Sequence, residues 1–274
     1  MDFSLDLEEE IKRLLQEIKN SNSSLVIRDR RGYIYRKLIN ELKEKGYEIK
    51  ILDLGLTSGL NLDFYNPLKY VDNLDDLLAL SEILANNQTY GIGLENVYSD
   101  FVRKAKVIIY SLLREEFEKG KIKDTSFASL RKRFHEQLNE NKCPWDFVFS
   151  EDIEKWQKDR YEGMPAWFSG NDSLIFYVDN ILFRLSSGRA EDLFSKDTLN
   201  LKELLEKKTA IFLEFDEDRE PYGFIANILY MQILYMFNNK KLVGKESLGL
   251  LIDPKEVTVS EMILGAMRKF IYKV

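Results

Sequence analysis

The sequence predicts an α/β protein with a mostly parallel sheet, interrupted by an all-helical block. Three features predict it. Leu25-Val26-Ile27-Arg28-Asp29-Arg30-Arg31-Gly32 reads as a strand ending in a tight turn, and a helix leads from it into a second strand. From Asn73 to about Gly170 the apolar spacing is helical throughout. After Asp172 helices and strands alternate again. A single helix between two strands is the crossover of a βαβ unit, which makes the strands parallel. The predicted division is residues 1–72 and 171–274 for the α/β core and 73–170 for an all-α insertion.

Each element has its own reason. Asp6 to Ile18 is charged and amphipathic and reads as a helix. Tyr33 to Lys45 carries Ile34, Leu38, Ile39 and Leu42 at helical spacing, and Gly46 supplies the stop. Tyr47 to Leu54 is the next strand. Gly55, Ser58, Gly59, Asn61, Asn66 and Pro67 then mark a turn-rich passage. Within the helical block, Leu74, Leu77, Leu78, Ser81 and Leu84 share one face. Phe101, Ala105, Ile108, Ile109, Leu112 and Leu113 share another. Thr125 is the expected N-cap of a helix from Phe127 to Leu138, and Ser150 to Tyr161 is a further helix. Beyond the block come a helix at Asp172, a strand at Ala210 to Phe215 and a helix from Phe224 to Phe237. A strand at Leu248 to Asp253 and a last helix, Val257 to Lys269, complete the chain.

Composition narrows the function classes. Apolar residues make up 45% and charged residues 31% of 274, ordinary values for a globular protein. No stretch approaches the ~20 apolar residues of a membrane helix, and Met1 to Asn20 is too charged for a secretory signal. A cytoplasmic setting is expected, which the single Cys143 also fits. One histidine, His135, cannot furnish a catalytic triad with Cys143 placed in a Pro144-Trp145 loop, nor a His-rich zinc site. Both residues read as structural. The net charge is −6. Two basic clusters stand out, Arg28, Arg30, Arg31, Arg36 and Lys37 at the first turn, and Arg131-Lys132-Arg133 in the helical block. Solvated turn and helix faces account for both. The second is also the candidate partner surface.

The loop Glu214-Phe215-Asp216-Glu217-Asp218-Arg219-Glu220 follows an apolar strand, at the sheet edge where α/β proteins bind ligands. Asp216 and Asp218 are the candidate Mg²⁺ or Ca²⁺ ligands there. Acidic residues ahead of a helix are also favourable without any ligand. A nuclease that converges two acids and a Lys on a metal is disfavoured. Its Glu-x-Lys matches, at Glu41-Leu42-Lys43 and near Glu206-Lys207-Lys208, sit on a helix and ahead of a strand.

Taken in order, several pieces resemble the TraG/TraD-type coupling proteins of type IV secretion. In that family a strand ending in Asp-Pro-Lys-Gly-Glu precedes a helix like Tyr33 to Lys45. Tyr65-Asn66-Pro67-Leu68 is similar to the family's Asn-Pro-Leu turn. Ser173 to Ser187 resembles the helix that leaves its all-α insertion. Asp197 to Leu201, Leu204 to Leu213, Asp216-Glu217-Asp218 and the Gln232-Ile233-Leu234 helix follow in the family's order. The resemblance spans residues 24 to about 237 and implies a P-loop-NTPase-like (RecA/FtsK-like) core.

The departures matter as much. The family's P-loop, GxxxxGK[ST], cradles phosphates at a helix N-terminus. It is expected before Leu25, and Met1 to Ser24 contains no Gly. Gly244-Lys245-Glu246 fails as a substitute, with Asn239 in place of the first Gly and Glu246 in place of the Mg²⁺-binding Ser or Thr. Leu248 to Asp253 resembles the Walker B strand, and Asp253 is its vestigial metal-side acid. Pro254 replaces the catalytic acid, and Glu256 comes two positions too late. No ATP or Mg²⁺ cofactor, nucleotide-binding residue or catalytic residue is therefore expected. The resemblance implies a catalytically inactive relative that serves as a scaffold in DNA transfer or mobile-element biology. Its partner would be a protein, a secretion or relaxosome component, with weak or no direct nucleic-acid binding. Met1 favours a stand-alone relative. The alternatives are a truncated fragment of an active coupling ATPase and a metal-dependent enzyme using the Asp216–Glu220 loop.

Overall fold

A computed structural model describes residues 24–30, 32–54, 63–86, 98–139, 172–205, 207–215, 223–239 and 249–250, with residues 8, 11, 12, 15 and 16 ahead of them. The chain forms two compact units. One comprises Met1–Tyr65 with Asp197–Val274, the other Asn66–Lys196.

Among the described residues the first unit has four parallel strands, β1 (Leu25–Arg30), β2 (Glu48–Asp53), β3 (Thr209–Phe215) and β4 (Gly249–Leu250), in the order β2-β3-β1-β4. The βαβ crossover from β1 through α1 (Tyr33–Glu44) to β2 steps over one position, and β3 fills the gap. β1 and β2 are thus not neighbours in the sheet, whereas β2 and β3 are. β3 carries Ala210, Ile211, Phe212 and Leu213 buried on both faces, the near-continuous apolar run of a central parallel strand.

Register aligns the apolar residues in rows. Leu25, Ala210 and Ile49 form one row, and Ile27, Phe212 and Ile51 the next. Against these rows packs the inner face of α1, Ile34, Leu38 and Leu42, with Tyr47. Tyr35 meets Phe212 edge to face at 5.3 Å. Ile11 and Leu15, one helical turn apart in the N-terminal segment, pack on the same cluster. Leu38 and Leu42 are wholly buried, and truncating either to Ala would cost about 2–5 kcal/mol. Gly46, at φ 77°, ends α1 in the left-handed conformation expected of a helix stop. α7 (Gly223–Asn239) buries Ile225, Ile228, Leu229 and Ile233, and Tyr65 donates a hydrogen bond to its Gln232 Oε1.

The second unit is helical throughout its described residues. Asn66 opens it, its side chain accepting from the Leu68 N–H at 3.0 Å and capping a 3-10 turn at Pro67–Tyr70. Then come α2 (Leu74–Asn86), α3 (Tyr98–Glu118), α4 (Phe127–Asn139), α5 (Asp172–Leu185) and α6 (Gly188–Phe194). Its bounds, 66–196, are wider than 73–170 and take in α5 and α6. The apolar faces read from sequence are buried at Leu77, Ser81 and Leu84 on α2. They are also buried at Ala105, Ile108, Ile109, Leu112 and Leu113 on α3. Leu74, at the start of α2, is exposed. Phe127 and Phe134 are core residues, and the Phe127 ring meets that of Phe194 at a tilt, 5.3 Å between centroids. The N-cap of α4 is Ser126 and not Thr125. Ser126 Oγ accepts the Ser129 N–H at 3.1 Å, whereas the Thr125 hydroxyl donates back to the Lys121 carbonyl.

Candidate functional site

In the third register row of the sheet the apolar pattern ends in acid. Asp29 of β1 pairs with Glu214 of β3, and Glu214 pairs with Asp53 of β2. Paired residues on adjacent strands project to one face, here the face that carries α1. All three carboxylates are buried, Asp29 completely. They line the carboxyl edge of the sheet, where parallel α/β folds place their ligands.

Local structure explains Asp29. Its two oxygens accept the backbone N–H of Ile34 at 2.8 Å and of Tyr35 at 2.7 Å, the second and third residues of α1. These are the donors that an N-cap side chain normally satisfies. The residue in the cap position is Gly32, at φ 68°, which has no side chain to offer. The strand end therefore caps the helix from a distance. The negative carboxylate also meets the positive end of the helix dipole.

Gly32 is required twice. Its φ is left-handed, and a Cβ there would stand 3.3 Å from both Glu214 Oε1 and Arg36 Nη2. Arg36 donates from Nε to the Gly32 carbonyl at 2.9 Å. Glu214 in turn accepts the Leu54 N–H at its backbone carbonyl, at 2.7 Å. Burial pushes the Asp29 carboxyl up to about 6. The Tyr35 and Ile34 N–H groups and Arg36 oppose that rise, and the neighbouring Glu214 adds to it.

Helix N-termini bind phosphate because their N–H groups and dipole are unsatisfied. At α1 an internal carboxylate already occupies that place. Among the described residues no group of three or more His, Cys, Asp or Glu side chains is arranged to hold a metal ion. Within this row it is Asp29 that ties α1 to the sheet edge.

The helical unit holds the second candidate region. Arg131 makes a bidentate pair with Asp179 of α5, Nε to Oδ1 at 2.8 Å and Nη2 to Oδ2 at 3.1 Å. His135 Nε2 lies 2.7 Å from the same Asp179 Oδ1. Arg133 points to the other side of α4 and binds Glu115 of α3, Nε to Oε2 at 3.0 Å, with Nη2 on Oε1. Lys119 and Gln137 also reach Glu115. The Arg131 bond holds the Asp179 carboxyl below the usual carboxylate range; at Glu115 burial works upward, but the Arg133 and Lys119 bonds together outweigh it and its carboxyl is lowered too. Lys132 faces solvent, 3.7 Å from Glu136. The contiguous Arg131-Lys132-Arg133 cluster thus resolves into two interhelical clamps and one exposed lysine.

Other sequence-predicted positions lie outside the described residues. They are Asp216 and Asp218, the Gly244-Lys245-Glu246 segment, Asp253 with Pro254, Cys143, Trp145, and Trp156 with its helix. The side chains of Arg28, Arg30 and Arg31 are likewise outside them. What sequence reasoning missed is the row itself. Asp29, Glu214 and Asp53 each follow an apolar stretch within one residue of a strand's end, and that shared position was the available signal.

No family model matches this sequence, and no curated protein matches it. Among solved structures, the bacterial conjugative coupling protein TrwB, in an unbound monoclinic form, is similar in fold. Identity is 15% with a TM-score of 0.51, and the match covers 84% of this chain and 48% of that one. The chain thus spans about half the length of that coupling protein. Its core is a P-loop-NTPase-like α/β fold with a parallel sheet. Among the described residues no helix is long and apolar enough to cross a membrane.

Proposed function

We propose that this chain is a catalytically inactive relative of conjugative coupling proteins. It acts by binding a protein partner in DNA transfer, on the cytoplasmic side. The observation that carries the reading lies ahead of β1, where the resemblance expects the phosphate-binding loop and Met1 to Ser24 contains no Gly. Two sequence features support it. No GxxxxGK[ST] occurs anywhere in the 274 residues, and Pro254 follows Asp253. The fold likeness to TrwB supports the conjugative context. The engagement of Arg131 and Arg133 with Asp179 and Glu115 supports a protein over DNA as the partner. A secretion-channel or relaxosome component fits that description.

Titration of the protein with Mg-ATP in a calorimeter, with a phosphate-release assay, tests the inactivity. Neither heat of binding nor turnover is expected. Micromolar affinity, or turnover abolished by Asp253→Ala, would overturn it. A second reading draws on the 48% coverage of TrwB, namely a piece of an active coupling ATPase whose nucleotide loop lies elsewhere. ATP hydrolysis restored by a second, P-loop-bearing chain would favour that reading.

A further inference from the structure

Two stretches of chain join the α/β unit to the helical unit, one leaving at Tyr65–Asn66 and one returning at Lys196–Asp197. Backbone groups in a connection need hydrogen-bond partners like any others. Here the two stretches supply them to each other. The Phe64 carbonyl accepts the N–H groups of Thr198 at 2.9 Å and of Leu199 at 3.0 Å. The Phe64 N–H donates to Thr198 Oγ1 at 3.0 Å, and that hydroxyl donates to Asp63 Oδ1 at 2.9 Å. Phe64 and Thr198 are 134 residues apart in sequence.

The paired stretches are fastened to the sheet. β2 is an edge strand, and Ile51 turns its backbone groups away from β3. Asp63 takes both of them. Its N–H donates to the Ile51 carbonyl at 2.8 Å, and its Oδ2 accepts the Ile51 N–H at 2.9 Å. Lys50 Nζ reaches the Thr198 carbonyl at 3.1 Å. Buried side chains stand on either side, Tyr65 with its bond to Gln232 of α7, and Leu199 with Leu201. Every one of these residues belongs to the α/β unit. The ends of the helical unit are thus tied together by structure outside it.

We propose that Asp63 and Thr198 form a latch that uncouples the two units in unfolding, so that the helical unit opens and recloses while the sheet stays intact. The inference stands apart from the partner-binding reading and goes beyond it. A chain as long as Asn66–Lys196, once unfolded and unrestrained, holds its ends on the order of 60 Å apart. One end leads back to β2 and the other forward to β3, so that drift would pull on both strands. The latch pins the ends first. Closing a loop costs entropy that grows only with the logarithm of its length, which a few hydrogen bonds backed by three buried side chains can meet. Each unit also has its own buried core, Leu38, Leu42 and Phe212 in one and Ile108, Leu112 and Phe134 in the other. Contiguous units of this kind open separately in native proteins.

Hydrogen exchange of the full chain, read by mass spectrometry on peptides from α3 and β3, tests the latch. Leu112→Ala cuts a cavity into the helical unit. It is expected to speed exchange in α3 about thirtyfold or more while β3 stays within about twofold of the native rate. Thr198→Val with Asp63→Ala removes the latch. Adding Leu112→Ala to that background should speed β3 about tenfold or more beyond the latch variant alone. Thr198→Val by itself keeps Asp63 on Ile51 and should transmit less. Ser126→Ala, a milder lesion in the helical unit, should give the same pattern at smaller amplitude. A latch residue that only steadied the edge strand would change β3 by one factor, whether or not Leu112 were intact. That result would overturn the proposal. So would acceleration of β3 and α3 together by Leu112→Ala with the latch in place.

Discussion

Asp29 shows how one residue can tie a helix to the end of the strand that precedes it. It is buried, paired in register with Glu214, and hydrogen-bonded to two helix N–H groups. Its carboxyl is raised to about 6, against about 3.9 in an unfolded chain. The folded state therefore holds this proton more tightly than the unfolded state. The stability it contributes is complete below about pH 4 and is lost as pH rises through 6, in all about 3 kcal/mol. Asp29→Asn fixes the neutral form. Urea unfolding at pH 4, 5, 6 and 7 is predicted to show a wild-type profile that falls more steeply across this window than that of the Asn variant. Parallel profiles would show that Asp29 does not titrate there. Asp29→Ala should cost about 2–4 kcal/mol at pH 7, because two buried N–H groups lose their acceptor.

Elements carry the next level of specification, and they differ in how legible they were. α1 was readable from apolar spacing and Gly46, because both its period and its stop are local properties. β3 was equally readable, since burial on both faces demands a continuous apolar run. Its place between β1 and β2 was not readable, because strand order depends on pairings distant in sequence. The α4 cap was misread for a different reason. Thr125 and Ser126 are both good caps, and only the backbone geometry decides which hydroxyl reaches the third N–H of the helix. Ser126 bonds Ser129, and Thr125 closes the preceding 3-10 turn at Ile122–Asp124. Ser126→Ala is therefore predicted to cost about 1 kcal/mol in urea unfolding, with Thr125→Ala costing less. The reverse order would restore Thr125 as the cap. The basic run 131–133 was misleading as a patch because helical geometry sends adjacent residues to different sides. Arg131 and Arg133 consequently meet different helices, α5 and α3.

At the scale of the whole molecule there are two compact units, one with the parallel sheet and one helical, and in the helical unit most described lysines and arginines face a carboxylate. The nucleic-acid question belongs to the second. Residues 71–170 carry 14 Lys plus Arg against 18 Asp plus Glu, a net charge of −4. Phosphate contacts require cations that can exchange with condensed counterions. Arg131 and Arg133 would first have to leave Asp179 and Glu115, exposing carboxylates to the phosphates as they did so. An acidic surface repels a phosphate backbone within a Debye length of about 8–10 Å. Fluorescence anisotropy with single- and double-stranded oligonucleotides at low salt is thus predicted to show no binding tighter than about 1 µM. Changing Arg131, Lys132 and Arg133 together to Ala should leave that result unaltered while lowering stability. Each clamp is part-exposed and contributes on the order of 1 kcal/mol or less. Salt-sensitive binding below about 1 µM that the triple variant weakens would mean that the clamps open to meet phosphate, and would return the chain to the DNA-handling proteins.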